Sequence, residues 1–343
     1  MRHIFALLCS FLVGIYLVPI IIRAALRIGF VDAPDGRLKH QKKPVPYLGG
    51  MAVFLPFIVT LGLCYPFQNH ILWLLLGITL LLFIGLIDDL RVLKPSQKFF
   101  GQCIAVLCFL KGEFSLKTEF FSFLPNVFLS GFWILSVVNA FNLVDVMDGL
   151  CATLAISSAC VFGVIAFLAG NYQVSVLMAA FIGSLAAFLW YNRPPARIYL
   201  GDSGSLFIGG FLAAIPFLLS WNRALFGWSE FADANFIVAG VLRPLCEVFF
   251  VPAVVLAVPL LELGALFVIR TRMGLPFYNG SPHHFSLYLQ RKGWSKVKIL
   301  WFVAGLSALF GVQAIMFVLG LAPFKIHLLI DTVLLAFWFW LVY

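Results

Sequence analysis

Seven aspartates carry most of the chemistry this sequence offers. Asp32, Asp35, Asp88, Asp89, Asp145, Asp148 and Asp202 make up half of the 14 acidic residues, and they gather between or at the ends of apolar runs. Asp88-Asp89 closes the run LLLGITLLLFIGLI. A helix ending there carries partial negative charge at its C-terminus, so two adjacent carboxylates need a positive neighbour. Arg91 and Lys94 could supply it locally, which would make the pair a polar stop signal. The run NLVDVMDGL spaces Asn142, Asp145 and Asp148 by three residues, which puts them on one face if the helix continues. Residues 142–151 contain no Lys or Arg. These acids therefore face a divalent cation or cationic side chains from elsewhere, unless Asn142 or Asp148 is a helix cap. The run RIYLGDSGSLFIGG brings Asp202 together with Gly201, Gly204, Gly209 and Gly210. A glycine-rich helix start is an anion site, and an oxygen ligand beside it suits Mg²⁺ and phosphates. The plainer alternative is Asp202 or Ser203 as an N-cap.

Basic residues complete the inventory. VDAPDGRLKHQKKPVPYLGG supplies Arg37, Lys39, His40, Lys42 and Lys43, and SPHHFSLYLQRKGWS supplies His283, His284, Arg291 and Lys292. Such a cluster could bind a diphosphate, or it could hold topology and touch anionic lipid. Acids for a metal and bases for phosphate oxygens together fit metal-dependent phosphoryl transfer, which needs mainly positioning and charge neutralisation.

The elements that position these residues follow from composition. The chain has 343 residues, 63% of them apolar and 11% charged, with a mean hydropathy of +1.05. A soluble fold cannot hide that much apolar surface. The expected fold is an all-α integral membrane protein, which excludes a soluble enzyme, a disordered tail and a DNA-binding module. A bilayer core takes about 20 apolar residues per helix. Eleven spans are expected near 4–22, 48–67, 70–87, 98–110, 126–141, 152–170, 173–190, 204–221, 245–269, 298–320 and 326–343, with ten as the alternative. The fourth and fifth are short. Arg23 after the first span, with no small-residue cleavage site, reads as an uncleaved span. Loops near 23–47, 88–98, 142–151, 191–203 and 270–298 hold 17 of the 23 Lys and Arg residues, so they are expected to be cytoplasmic. The N-terminus is then outside and the C-terminus inside, and residues 1–343 form a single transmembrane domain. The net charge of +9 follows from this orientation and from phosphate handling, not from nucleic acid. Seven Cys, an odd number without metal-ligand spacing, read as buried free thiols.

The ordered motifs resemble those of the polyprenyl-phosphate N-acetylhexosamine-1-phosphate transferases, the bacterial glycosyl transferase family 4. The resemblance covers about residues 31–295: DAPDGRLKHQKKPVPYLGG at 32–50, the Asp pair at 88–89, NLVDVMDG at 142–149, WYNRPPARIYLGDSGS at 190–205, and the His-containing loop. It implies transfer of a sugar-1-phosphate from a UDP-N-acetylhexosamine to undecaprenyl phosphate, releasing UMP and initiating a lipid-linked envelope glycan such as a wall polymer or lipopolysaccharide. It also implies a requirement for Mg²⁺ (or Mn²⁺) and a site facing the cytoplasm of the bacterial inner membrane. By resemblance, Asp202 is a Mg²⁺ ligand, with Asp145. Asp88 and Asp89 position the lipid phosphate. Asn142, Asp145 and Asp148 are nucleotide-side and catalytic groups, and His284 is the first His of the His loop. Arg37, His40, Lys98, Asn192, Tyr199 and His283 are substrate-binding, Lys98 at phosphate and Tyr199 stacking on uracil.

The sequence also departs from the family pattern. Val146 stands where Gly is usual, Ser286 and Leu287 replace later His residues, and Glu262 replaces an Asp. The first-loop motif is most like the N-acetylglucosamine-1-phosphate transferase branch. H-H-F followed by K-G-W-S is instead similar to the phospho-N-acetylmuramoyl-pentapeptide transferase branch, the runner-up. A transporter is the alternative from a different class. Its ionisable residues would sit mid-membrane, where Glu262, Asp331 and His327 are the candidates. An inactive lipid-phosphate binder is a third reading. A homodimer is compatible with the apolar outer faces.

Overall fold

The computed structural model describes residues 1–32, 44–118, 121–219, 245–276, 278 and 280–343. It is a helical bundle, as a lipid-embedded chain must be if every backbone N–H and C=O is to be satisfied internally. The helices are α1 (Arg2–Ile28), α2 (Gly49–Cys64), α3 (Asn69–Leu90), α4 (Pro95–Lys111), α5 (Phe123–Val144), α6 (Leu150–Leu168), α7 (Tyr172–Asn192) and α8 (Gly201–Leu218). After a π-turn at Cys246–Phe250 come α9 (Val251–Val255), α10 (Ala257–Arg272), α11 (Phe285–Arg291), α12 (Lys296–Val318) and α13 (Phe324–Val342). A two-residue antiparallel pairing joins β1 (Val31–Asp32) to β2 (Val45–Pro46), with Val31 opposite Pro46.

All eleven expected spans fall on helices, but not all are long enough to cross. Among the described residues, eight helices have the length and apolarity to span a bilayer, or nine if the bent α9–α10 segment counts as one. By length and composition that is fewer than the eleven expected. At 16 and 17 residues, α2 and α4 reach only about 24–26 Å at 1.5 Å per residue. The fifth helix, expected to be short, runs a full 22 residues. The ninth segment bends by 86° at Leu256, where the missing N–H of Pro259 removes a helical hydrogen bond.

The bundle is built around α8. Inside the protein, 78% of its apolar window is buried, against 22% for α1 and α13, whose remaining surface is left to lipid. α2, α3 and α5 pack directly on α8. Phe57, Phe181 and Phe211 interlock around it, with ring centroids 4.5–5.6 Å apart. All seven cysteines are free, but only Cys151 is buried and Cys160 is exposed, so the expectation of buried thiols holds for one position.

Candidate active site

Four helix ends meet at one place: the C-termini of α3 and α5 and the N-termini of α4 and α8. Asp89, in the last turn of α3, accepts the backbone N–H of Asp202 (2.8 Å) on Oδ1 and that of Ser203 (3.1 Å) on Oδ2. The α8 N-terminus thus takes its cap from another helix, and the α8 dipole supplies the positive neighbour that the Asp pair needs. Neither Asp202 nor Ser203 caps the helix itself. This approach requires glycine. Gly201 has φ +73°, and a Cβ there would lie 2.6 Å from Asp89 Oδ2. A Cβ at Gly85 would lie 2.3 Å from the Asp202 carbonyl carbon.

Asp88 turns the other way. Its Oδ1 accepts Leu93 N–H at 2.6 Å, and its Oδ2 lies 3.0 Å from Lys98 Nζ. The same ammonium is paired with Asp202 and donates to Asn142 Oδ1 at 3.2 Å. Asn142 Nδ2 in turn donates to Asp202 Oδ1 (2.8 Å) and Ser205 Oγ (3.0 Å). Lys98, four residues into α4, is therefore the positive centre, not Arg91 or Lys94. One helical turn away, Gln102 of α4 and Asn139 of α5 exchange amide hydrogen bonds of 3.3 and 3.0 Å, which fixes Lys98 opposite Asn142.

Asp145 lies just past α5, and its ordinary acidity is strongly suppressed. Burial raises its pKa well above the usual carboxylate value, and the nearby Asp202, Asp89 and Asp148 push it further. The backbone N–H of Gly201 opposes this shift. Asp148 pairs instead with Lys296 of α12, at 2.9 Å.

Asn192 spends its amide on backbone. It accepts Gly149 N–H (2.8 Å) and donates to Ile198 C=O (2.7 Å), which ties the 145–149 turn to the segment before Tyr199. Tyr199 stands 5.9 Å from Tyr47 by ring centroid. Burial, with Asp148 and Asp32 near, pushes its phenol up to about 12. His283 lies against Tyr288, with centroids 6.4 Å apart. His284 does not join the Asp cluster. Its Nδ1 is 2.9 Å from Glu262 Oε1. Arg37 and His40 lie outside the described residues.

Ser205, Gln102, Asn139 and Lys296 escaped the sequence reading. Ser205 could have been found from its spacing of three from Asp202. The others act across the bundle and leave no local signal.

The donor chemistry fits a hard divalent cation. Asp88 and Asp202 share Lys98, while Asp89 and Asp145 both lie near Asp202, so carboxylates outnumber the one ammonium in this cluster of described residues. No three described His, Cys, Asp or Glu side chains form a ready-made cage. Mg²⁺ needs none, because it binds through one or two carboxylates plus substrate phosphates.

Comparison with known proteins matches residues 71–220 to glycosyl transferase family 4. That stretch contains α3 through α8 and so the whole Asp–Lys–Asn cluster. A probable undecaprenyl-phosphate N-acetylglucosaminyl 1-phosphate transferase of Bacillus subtilis (strain 168) is 32% identical over 229 residues, 63% of each chain. Phospho-N-acetylmuramoyl-pentapeptide-transferases match over more. That of Campylobacter jejuni (strain RM1221) is 31% identical over 80% of this chain and 83% of its own. That of Desulfotalea psychrophila (strain LSv54 / DSM 12343) is 29% identical over 92% of this chain and 93% of its own. These longer matches overturn the expected placement in the N-acetylglucosamine-1-phosphate branch. The first-loop motif that suggested it is a short stretch, whereas the pentapeptide-transferase likeness extends over most of the chain. The chain belongs to the polyprenyl-phosphate sugar-1-phosphate transferases of glycosyl transferase family 4.

Proposed function

We propose that this protein transfers phospho-N-acetylmuramoyl-pentapeptide from its UDP carrier to undecaprenyl phosphate and releases UMP. The observation that carries the substrate choice is the likeness to phospho-N-acetylmuramoyl-pentapeptide-transferases over 80–92% of the chain. The geometry supports the reaction class, because four helix ends collect carboxylates, one ammonium and backbone N–H groups at one point. In this reading an oxygen of the lipid phosphate attacks the sugar-side phosphorus, the bridging P–O bond breaks, and UMP leaves.

Asp88 and Asp89 face the incoming lipid phosphate. Lys98 holds Asp88, Asp202 and Asn142 in register, and its ammonium moderates repulsion between the carboxylates and phosphate oxygens. Asp202 and Asp145 would hold Mg²⁺ (or Mn²⁺), which when bound supplies charge neutralisation for the diphosphate. Asp148 and Tyr199 lie on the nucleotide side, with Tyr199 as the stacking surface for uracil. Asn192 fixes the backbone that presents Tyr199. Arg37, His40, His283 and His284 are assigned to the diphosphate and sugar.

The Lys and Arg distribution supports an inner-membrane protein with residues 1–343 as one domain, the site facing the cytoplasm and the N-terminus outside. Here α2 and α4 complete an eleven-helix transmembrane set as short members, packed against the bundle where the bilayer need not be spanned in full. A homodimer is compatible with the exposed apolar faces of α1 and α13.

The test is UMP release by purified protein with undecaprenyl phosphate and Mg²⁺, given UDP-N-acetylmuramoyl-pentapeptide, UDP-N-acetylglucosamine or its galactose-type epimer. Turnover of the muramoyl-pentapeptide donor alone is expected. Turnover of neither class, with substrate flux in proteoliposomes, would replace the enzyme reading with a transporter.

A further inference from the structure

We infer that Glu262 is a positioning residue that sets the tautomer of His284 and presents the opposite ring nitrogen, Nε2, to the diphosphate of the sugar nucleotide. The inference rests on the proposed transfer reaction for what His284 touches, and on geometry alone for how it is held.

Glu262 is the one acid in α10, and its side chain is fully buried. An unpaired carboxylate in that setting is costly, so its partners explain its presence. Oε1 lies 2.9 Å from His284 Nδ1. Both carboxylate oxygens also face the backbone N–H of Phe285, at 3.3 and 3.4 Å. A backbone N–H only donates, so Glu262 is the acceptor for Phe285, and in the inferred arrangement the ionised carboxylate accepts from His284 as well, with the hydrogen on Nδ1. Nε2 makes no hydrogen bond among the described residues. A carboxylate on one ring nitrogen, fixing the function of the other, is the general way an imidazole is prepared for phosphate or proton chemistry.

The same helix holds the loop at a second point. Two turns beyond Glu262, Arg270 Nε donates to Ser281 Oγ at 2.9 Å. From the other side, Trp338 of α13 packs on Phe285 with centroids 4.7 Å apart. At its start, α11 is thus held at His284 by α10 and at Phe285 by α13. That helix reaches the acidic turn, where Gln290 Nε2 lies 3.6 Å from Met147 Sδ. Just beyond it, Lys296 pairs with Asp148. The helix that His284 begins therefore runs from the Glu262 anchor to the turn that carries Asp145 and Asp148. A histidine serving only to fill space would not need an ionisable group buried behind it.

The test is a double-mutant cycle on the full-length protein with Glu262→Ala, His284→Ala and the double variant, and with Glu262→Gln as a near-isosteric control. UMP release is followed with UDP-N-acetylmuramoyl-pentapeptide and undecaprenyl phosphate. ¹⁵N-histidine NMR of the detergent-solubilised protein reads the ring tautomer independently of activity. Glu262→Ala should lower kcat/KM about 10–100-fold, the usual cost of removing an orienting partner. The double variant should be no worse than His284→Ala, because Glu262 acts through His284. The His284 signal should show the Nδ1–H tautomer in the parent and a mixture in Glu262→Ala. If Glu262→Ala does not fold, Glu262→Gln carries the same cycle, with an unchanged Tm separating positioning from unfolding. Wild-type kinetics in the Glu262 variants, multiplicative losses in the double variant, or an unchanged tautomer signal would each overturn the inference. If the parent protein releases no UMP from this donor, the proposed substrate falls, while the tautomer measurement still decides the role of Glu262.

Discussion

At the residue scale, the site is a problem in compensating negative charge. Lys98 answers for Asp88 and Asp202, and the α8 N-terminus answers for Asp89. Asp145 has the Gly201 N–H as a favourable partner against three acidic neighbours. Its native pKa is raised, so between the unfolded carboxylate value of about 3.9 and the native value the folded state binds the extra proton. Stability contributed by that proton is lost as pH rises through this window. Without divalent cations, Asp145→Asn should therefore raise Tm at neutral pH and flatten the fall of Tm above pH 4–5, while abolishing UMP release. Thermal denaturation in detergent across pH reads the first effect. Asp202→Asn should abolish turnover as well, because it removes a carboxylate at the centre of the network. Cys103→Ala should leave turnover unchanged, because Cys103 is a free thiol with no role in the network.

At the element scale, the decisive feature is how closely α3 approaches α8. Gly85 lets the α3 backbone lie against Asp202, and only there can Asp89 reach two N–H groups of another helix. Gly85→Ala introduces a Cβ 2.3 Å from backbone that cannot swing away. Overpacking of this kind costs about 1–3 kcal/mol. The expected outcome is a lower Tm and a loss of turnover larger than that stability change explains, since the Asp89 cap opens with it. A Tm and kcat equal to the parent would show that the two helices can separate without harm.

At the scale of the whole molecule, the last helix closes onto the His loop. Trp338 is fully buried against Phe285, and Lys292 Nζ donates to the terminal carbonyls of Leu341 and Val342, both at 2.9 Å. These contacts satisfy carbonyls that a helix end otherwise leaves open. Removing residues 338–343 should lower kcat, with the mutant still folded and embedded, because the loop loses one of its two walls. Measuring kcat beside binding of the UDP-linked donor separates this from general destabilisation.

The sequence by itself determined the membrane class, the positions of the helical segments and which acidic motifs to look at. Apolar runs and polar edges are local, and a membrane enforces helix wherever an apolar run enters it. The Asp pair, NLVDVMDG and GDSGS were legible for the same reason. The number of helices long enough to cross was not legible, because a mean hydropathy cannot tell a 16-residue helix from a spanning one, or foresee the 86° bend at Leu256. The branch of the family was not legible either, since one short loop motif weighs little against a likeness spread over most of the chain. Only the tertiary structure decided the partners. Lys98, Ser205, Lys296 and Glu262 act on residues as many as 148 positions away, across helix ends that meet only in the folded bundle. Side-chain distance depends on packing, and one chain read in order holds no record of which of its polar ends will face each other.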